Sequence, residues 1–432
     1  MHNLLAIHSQ SGFRGNKFFE NGEMLRDVGI EPSIAVSDPR SDDITEVLQT
    51  YPEDEIDGIL IRKVKILEAV HENGLCEDIP LFFSGGTILK GHQKQTLIDI
   101  VDSGREVYVF TGSIRAARSF YIPNDGNLQV VIAPIMGLSP NKRMQAPLID
   151  NMGQQTYDIG FFSSMRFNKR PHRVLETANN VGEQLDYTPK VWVGGMHWDT
   201  EYSDMIRDIS ASDHYKHINI EHNDHIQPRT LFRKIQDTKV IYLPLLKPTE
   251  TNCYAAWETI SYDVPLVGSD WSSIGEAIRN SRHPLSATVP IKKVKNIEQI
   301  FSDHILNTYP DAVDEANNKA VDKGNEHILT VDEEAAQRKL LNALTTHASH
   351  QRTFEIPDRM QAESTIAAMA DILNKNLTPA DIETHLSAFK SNKETDSLIK
   401  SIDKDVLKTT KGYSLLRNPL IHHSTAHQTS IP

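Results

Sequence analysis

Cysteine is scarce in this sequence, which holds only Cys76 and Cys253 among 432 residues. The two lie far apart, and neither belongs to a C-x-x-C pair or has histidine-rich surroundings. The sequence therefore indicates neither a disulfide framework nor a zinc site. We expect two reduced thiols and no bound metal.

Long apolar runs and an excess of positive charge are missing as well. No stretch approaches the roughly eighteen apolar residues that a membrane-spanning helix needs, and the N-terminal residues do not resemble a signal peptide. The formal net charge of -13 opposes indiscriminate attraction to nucleic acid or anionic membranes. We expect a cytoplasmic protein without an integral membrane segment.

What remains is an ordinary globular composition, with 24% charged and 39% hydrophobic residues. The chain is too long for one hydrophobic core, so two or three domains are expected. Short apolar runs, mostly separated by helix-length segments, lie at residues 4–7, 33–36, 59–61, 81–83, 107–110 and 130–133. This alternation predicts a mostly parallel, doubly wound α/β sheet, whose first helix carries Phe18, Leu25 and Val28 on one side.

A second α/β domain is predicted after a polar stretch at residues 139–155, which has little periodicity and is typical of a linker. Beyond it, apolar runs lie at residues 158–162, 191–193, 218–220, 240–243 and 265–268. We therefore place one domain at residues 1–150 and a second at 151–310.

After about residue 310 the sequence becomes polar and helix-favouring, with apolar positions at helical spacing such as Leu340, Leu344, Ile366 and Met369. Strands are expected to stop there, so residues 311–432 are predicted to be a helical extension that returns onto the other domains. Asp332 is a predicted helix N-cap. A packed helical layer is preferred here to a dedicated partner-binding module.

Residues 240–270 read as a strand, a loop, a helix and a strand. Thr249 or Thr251 is predicted to cap the helix, whose first N–H groups would face the carboxyl end of the strand and seat a diphosphate. Glu250 and Glu258 flank this helix start, and carboxylates accept hydrogen bonds well from a sugar or ribose diol. The spacing alone fits an acidic pair on a solvated helix equally well.

This segment resembles the E-x7-E signature of the retaining GT-B glycosyltransferases, and residues 258–267 resemble that family's helix-to-strand passage. The resemblance implies a GT-B fold, in which an N-terminal Rossmann-like acceptor domain faces a Rossmann-like nucleotide-sugar domain across a cleft. It further implies that Glu250 lies beside the transferred sugar and that Glu258 holds the donor's ribose. The amides implied to approach the diphosphate are those of Asn252, Cys253 and Tyr254.

A basic cluster upstream carries a second match. Residues 161–178 resemble the family's Gly-Arg and Lys-Gly passage, and they include Arg166, Lys169, Arg170, His172 and Arg173. By resemblance, Arg166 and Lys169 would grip the phosphates, because preorganised cations stabilise the charge that develops on a departing nucleoside diphosphate. A basic solvated loop is the alternative.

Several glycines and a later helix match the family more loosely. Gly12 and Gly15 resemble its glycine-rich first loop, which lets backbone come close to the donor. Gly194, followed by Gly195, resembles the turn before the nucleotide-base pocket, although a plain β-turn explains the pair equally well. A region that resembles the family's Gly-Gly-x-x-Glu holds Ser272, Ser273 and Glu276.

The acceptor side departs from the family pattern. Ser84 stands where many members carry a histidine near the acceptor, and His92 lies a few residues further on. These two are the acceptor candidates, although a lone loop histidine is more often an ordinary surface residue. Cys253 and Asp263 also replace glycines that are common in the family.

The resemblance implies a metal-independent glycosyltransferase that needs no cofactor. It would move a sugar, with retention at the anomeric carbon, from a nucleoside-diphosphate sugar to a hydroxyl of a saccharide or glycoconjugate. A phage-type DNA glycosyltransferase acting on a hydroxymethylated base is one alternative. It would need a basic cleft with a stacking aromatic, for which the first domain offers Lys63, Lys65, Arg115, Arg118 and Tyr121.

A sugar-nucleotide epimerase of the same fold and a non-catalytic GT-B partner subunit are alternatives of another class. The E-x7-E pattern favours a transferase over an epimerase. A silent subunit need not retain Glu250, Glu258 and Arg166 together.

Overall fold

The computed structural model divides the chain into two compact units. Of the described residues, those up to 131 and those from 362 to 375 form unit 1, whereas those from 155 to 346 form unit 2. The structure describes residues 1–8, 22–36, 46, 48–74, 78–84, 91–111, 128–131, 155–165, 169–195, 200–224, 226–245, 253–281, 283–294, 303–308, 310, 328–346 and 362–375.

Strands and helices alternate through both units. The strands are β1 (His2–His8), β2 (Ile30–Val36), β3 (Gly58–Ile61), β4 (Leu81–Ser84), β5 (Val107–Phe110), β6 (Leu128–Val131), β7 (Tyr157–Phe162), β8 (Lys190–Gly195), β9 (Asn219–Asp224), β10 (Thr238–Leu243), β11 (Leu266–Ser269), β12 (Ala287–Val289), β13 (Ile291–Val294) and β14 (Ile328–Val331). The helices are α1 (Gly22–Asp27), α2 (Val64–Glu72), α3 (Gly91–Asp102), α4 (Pro171–Gly182), α5 (Thr200–Ala211), α6 (Pro228–Gln236), α7 (Tyr254–Ser261), α8 (Ser272–Ser281), α9 (Asp303–Thr308), α10 (Glu333–Thr345) and α11 (Ala362–Leu373), with a 3-10 turn at Glu53–Glu55. In the described part of the chain, no helix is long and apolar enough to cross a membrane.

Unit 1 contains a parallel six-stranded sheet in the order β2-β1-β3-β4-β5-β6. Side chains alternate across β1, so that Leu5 and Ile7 join the core on one face while Leu4 and Ala6 join the core on the other. A strand buried on both faces reads as a continuous apolar run, which is why this strand was recognisable from the sequence.

The two faces of this sheet are covered by different parts of the chain. Residues of α2 and α3 pack on the first face. The second face is covered by Leu25 of α1 and by a row of α11 residues that includes Ile366, Met369 and Leu373. The last described helix therefore completes the core around the first strand.

Unit 2 contains a parallel six-stranded sheet in the order β12-β11-β10-β7-β8-β9. The strand order reverses between β7 and β10, which is the doubly wound arrangement typical of nucleotide-binding sheets. In unit 1 the corresponding reversal lies between β1 and β3. The predicted α/β architecture with two such sheets is confirmed.

The expectation that strands stop near residue 310 is wrong. β14 pairs antiparallel with β13, with Thr330 opposite Lys292. This four-residue strand leads directly into α10, whose N-cap Asp332 accepts a hydrogen bond from the Ala335 amide at 3.2 Å, as predicted. An isolated short strand gives little periodic signal among helices, which explains the error.

Two smaller expectations also need correction. Val28 follows α1 and is 40% exposed, whereas Leu25 is buried as expected, because the helix ends at Asp27. β6 begins two residues before the predicted strand at 130–133. Phe18 and residues 139–154 of the predicted linker lie outside the described residues.

Candidate functional site

The candidate site lies at the carboxyl edge of the unit 2 sheet, where the strand order reverses. β7 and β10 are neighbours, with Ile159 opposite Val240. The chain leaves β7 toward Lys169 and α4, and it leaves β10 toward Cys253 and α7. Because the carboxyl ends of parallel strands meet at one edge, these two connections start side by side, where doubly wound sheets bind ligands.

The start of α7 is fixed by a serine from the next helix. Cys253 is the N-cap residue, and its side chain makes no capping hydrogen bond. Its backbone N–H instead donates to Ser273 Oγ over 2.6 Å, and both residues are buried. The prediction that Thr249 or Thr251 caps this helix is therefore wrong: the helix begins at Tyr254, and the buried amide before it is satisfied from α8.

Two helix N-termini are held together by this bond. At the start of α7 the amides of Ala256 and Trp257 donate to the carbonyl of Cys253, the residue before the helix. At the start of α8 the amides of Ile274 and Gly275 donate in the same way to the carbonyl of Trp271. By the geometry of an α-helix, the amides of the first turn have no acceptor further back in their own helix. Both ends carry partial positive charge, so the pair suits an anion.

An acidic residue lies one turn into each of these helices. Glu258 of α7 is half-buried, and Glu276 of α8 is 9% exposed. Tyr254, the first residue of α7, is also half-buried. The contact of Glu258 with a ribose stays a prediction.

The basic cluster is not a solvated loop in its described part. Lys169, Arg170, His172 and Arg173 are all buried. Arg170 Nη1 donates to Thr330 Oγ1 at 3.1 Å, and Arg173 Nε donates to Glu333 Oε1 at 3.0 Å. The cluster was visible in the sequence, but its partners lie 160 residues away, beyond the reach of any local pattern.

Tyr242 of β10 is buried and interacts electrostatically with this cluster. Burial raises the pKa of the Tyr242 phenol, and the Glu333 carboxylate raises it further, against smaller opposing effects of Thr177 and the two arginines. The phenol is therefore neutral at physiological pH. The charged partners around Tyr242 are therefore the guanidinium groups of Arg170 and Arg173 and the carboxylate of Glu333.

The glycine pair at the end of β8 has a packing role. A Cβ on Gly194 would lie 2.3 Å from Ile226 Cδ1, and one on Gly195 would lie 1.6 Å from the Ser163 carbonyl oxygen. The plain β-turn interpretation is wrong because both residues are in the strand. Gly195 lets the segment after β7 lie close to the end of β8, next to the candidate site, and Gly194 leaves room for the Ile226 side chain after β9.

The remaining predicted residues lie in unit 1 or outside the described part of the chain. Ser84 ends β4 and is half-buried, and His92 is the second residue of α3, so both are near the carboxyl edge of the unit 1 sheet. Lys63 and Lys65, at the start of α2, are exposed. The predicted residues that lie outside the described part of the chain are Gly12, Gly15, Arg115, Arg118, Tyr121, Arg166, Glu250 and Asn252.

Comparison with known proteins identifies relatives by structure alone. No family model matches the sequence, and no curated protein matches it. A glycosyltransferase from Rickettsia africae ESF-5 is 10% identical, with 87% of this chain and 99% of that chain covered and a TM-score of 0.54. OtsA in its apo form is 11% identical, with 91% and 100% covered and a TM-score of 0.54. Sucrose-phosphate synthase from Thermosynechococcus elongatus is 11% identical, with 87% and 99% covered and a TM-score of 0.51.

At this level of identity the likeness shows the fold. The chain consists of two Rossmann-like α/β units of the GT-B type, as the sequence predicted.

Proposed function

We propose that this chain is a retaining glycosyltransferase that uses a nucleoside-diphosphate sugar. The observation that carries the proposal is the hydrogen bond from the Cys253 amide to Ser273, which holds two helix N-termini together where the unit 2 sheet reverses. A diphosphate is the anion that suits two adjacent helix starts with a lysine on the neighbouring connection.

The charged residues and glycines predicted from the sequence have the following roles in the proposed reaction. Lys169, together with Arg166, and the starts of α7 and α8 stabilise the charge on the departing nucleoside diphosphate. Glu258 accepts hydrogen bonds from the ribose hydroxyls, and Glu250 lies beside the transferred sugar. Gly12, Gly15 and Gly194 give backbone close access to the donor.

The proposed chemistry is front-face attack. The acceptor oxygen forms its bond to the anomeric carbon on the side from which the diphosphate leaves, and the acceptor proton passes to the departing phosphate oxygen. The configuration is thereby retained without a protein nucleophile. Fixed cations and helix starts supply the charge stabilisation that a divalent ion supplies elsewhere, so no metal or cofactor is required.

The structural neighbours support a transferase. One is named a glycosyltransferase and another a sucrose-phosphate synthase, and both share the fold of this chain. We place the acceptor, a saccharide or glycoconjugate, against unit 1, with Ser84 and His92 as its candidate contacts.

A binding and turnover experiment tests the proposal. Calorimetry with UDP, GDP, ADP, CDP and dTDP should show one preferred nucleotide, and the matching sugar nucleotide should give a product whose anomeric configuration, read by NMR, equals that of the donor. Activity should survive EDTA. Absence of binding across the panel would contradict the proposal, and conversion of the donor sugar without transfer would indicate an epimerase.

The acceptor is tested separately. Saccharides and duplex DNA containing hydroxymethylated bases should be supplied with the preferred donor, and we expect transfer to the saccharides. Transfer to the DNA alone would replace the proposed acceptor class and leave the donor half of the proposal intact.

A further inference from the structure

Arg170 has an unusual conformation for its position. It directly follows Lys169 and is the N-cap of α4, with φ 58° and ψ 44° in the left-handed region. Its side chain is completely buried. Glycine would adopt this backbone without steric cost, and an apolar side chain would be cheaper to bury, so local stability alone does not account for an arginine.

The guanidinium group is anchored on a distant segment of unit 2. Its Nη1 donates to Thr330 Oγ1 at 3.1 Å, and Thr330 is 2% exposed in β14. One turn further along α4, Arg173 Nε donates to Glu333 Oε1 at 3.0 Å, and Thr177 Oγ1 donates to Glu333 Oε2 at 2.7 Å. Residues 330–333 thus accept hydrogen bonds from three side chains of α4 and its N-cap.

This anchoring segment is itself fixed on both sides. Thr330 is paired with Lys292 in the β13–β14 ladder. Asp332 caps α10, and α10 packs against α4, β10, β11 and β12. The segment can therefore serve as a rigid support for the connection that carries Lys169.

We propose that Arg170 is a positioning residue for donor binding. By holding its guanidinium group on Thr330 it fixes the backbone at residue 169, so that the Lys169 ammonium group is preorganised toward the diphosphate. The inference rests on the proposed function, because it assigns Arg170 an effect on the same site. Its consequence is that residues of β14 and α10, without touching the donor, determine how tightly the donor binds.

A double-mutant cycle tests this role. Arg170→Gly keeps the left-handed backbone available but removes the anchor, and we expect it to raise the Kd for the preferred nucleoside diphosphate about tenfold. If Arg170 acts through Lys169, the same substitution has no further effect in a Lys169→Met background. A merely structural arginine would weaken binding equally in both backgrounds.

A second pair of variants tests the same hydrogen bond from the Thr330 side, so that the backbone at residue 170 is left unchanged. Thr330→Ser retains the accepting hydroxyl and should bind like the wild type, whereas Thr330→Val removes it and should reproduce the loss. Ile235→Ala, in the buried face of α6, controls for lowered stability and should leave the Kd unchanged.

Three outcomes are decisive. Wild-type affinity in Arg170→Gly or in Thr330→Val, or an undiminished effect in the Lys169→Met background, overturns the positioning role alone. Failure of the wild type to bind any of UDP, GDP, ADP, CDP and dTDP overturns the proposed function and this inference together.

Discussion

Lys169 carries a positive charge in a largely buried position beside the candidate site. Lys169→Met keeps the length of the side chain and removes the charge, so we expect the Kd for the preferred nucleoside diphosphate to rise about tenfold to hundredfold. Isothermal titration calorimetry measures this change. Lys216→Met, at an exposed position in the same unit, is the control and should bind normally; equal affinities in the two variants would contradict the assignment.

Glu221 of β9 is a second charged residue whose effect on stability can be tested. Burial alone would raise its pKa, but hydrogen bonds from Lys234, Tyr157 and Asn223 outweigh this effect and lower the pKa to about 2 from an ordinary 4.5. The Lys234 ammonium nitrogen lies 2.6 Å from the carboxylate. A depressed native pKa means that this group stabilises the fold above pH 4.5 and that its contribution is lost as the pH falls toward 2.

The corresponding prediction concerns acid stability. The difference in unfolding free energy between the wild type and Glu221→Gln should be largest above pH 4.5 and should shrink steadily toward pH 2. Urea denaturation at a series of pH values measures it. A difference that stays constant over this range would show that the carboxylate has an ordinary pKa in the folded protein.

At the scale of elements, the starts of α7 and α8 depend on one hydroxyl group. Ser273→Ala leaves the buried Cys253 amide without its acceptor, and we expect a loss of about 1–3 kcal/mol in unfolding free energy, together with weaker nucleotide binding. Denaturant unfolding and calorimetry measure the two effects.

The control for this prediction is Ser210→Ala in α5, whose half-buried hydroxyl donates to the Ile206 carbonyl of its own helix at 2.7 Å. It leaves no buried amide without an acceptor and should cost less. Normal binding by Ser273→Ala would show that the spacing of the two helix starts does not matter for the ligand.

The topology explains where the two C-terminal helices pack. Crossovers between parallel strands are right-handed, so strands added in one direction place their helices on one face of the sheet. In unit 1 the step from β1 to β2 runs in the direction opposite to the steps from β3 to β6. Among the described crossover helices of this unit, only α1 therefore lies on its face of the sheet. In the described part of unit 2, no crossover helix covers β10, β11 and β12 on the α4 side of the sheet. Helices α11 and α10 fill these two gaps.

The sequence predicts the strands well and the site only in part. Buried parallel strands such as β3 and β10 are uninterrupted apolar runs, so periodicity and length identify them. The bonds from Ser273 to Cys253 and from Arg170 to Thr330 depend on how distant segments pack, and no local pattern specifies them. The sequence singles out the two glycines of β8, but the contacts that require them, Ile226 against Gly194 and Ser163 against Gly195, are visible only in three dimensions.

At the scale of the whole molecule, the two units have separate cores, each completed by one C-terminal helix. Met369 of α11 is 1% exposed in unit 1, and Leu340 of α10 is fully buried in unit 2. Each substitution to alanine should cost about 2–5 kcal/mol. We expect hydrogen exchange to rise in unit 1 for Met369→Ala and in unit 2 for Leu340→Ala.

These two variants serve as controls for each other, and mass spectrometry of peptic fragments measures the exchange. Binding of the nucleoside diphosphate should be retained in Met369→Ala, because Lys169 and the starts of α7 and α8, which we propose hold the diphosphate, belong to unit 2. A uniform increase of exchange through both units in either variant would show that the cores do not respond independently.

The position of α11 has a consequence for synthesis on the ribosome. β1 is made first, yet one face of its sheet is covered by residues up to Leu373. Unit 2 has its sheet and α10 once residue 345 has emerged, before α11 is available. In the nascent chain, apolar side chains such as Phe82 and Phe110 therefore lack their α11 cover until residue 373 has been synthesised, and exposed apolar surface of this kind favours aggregation.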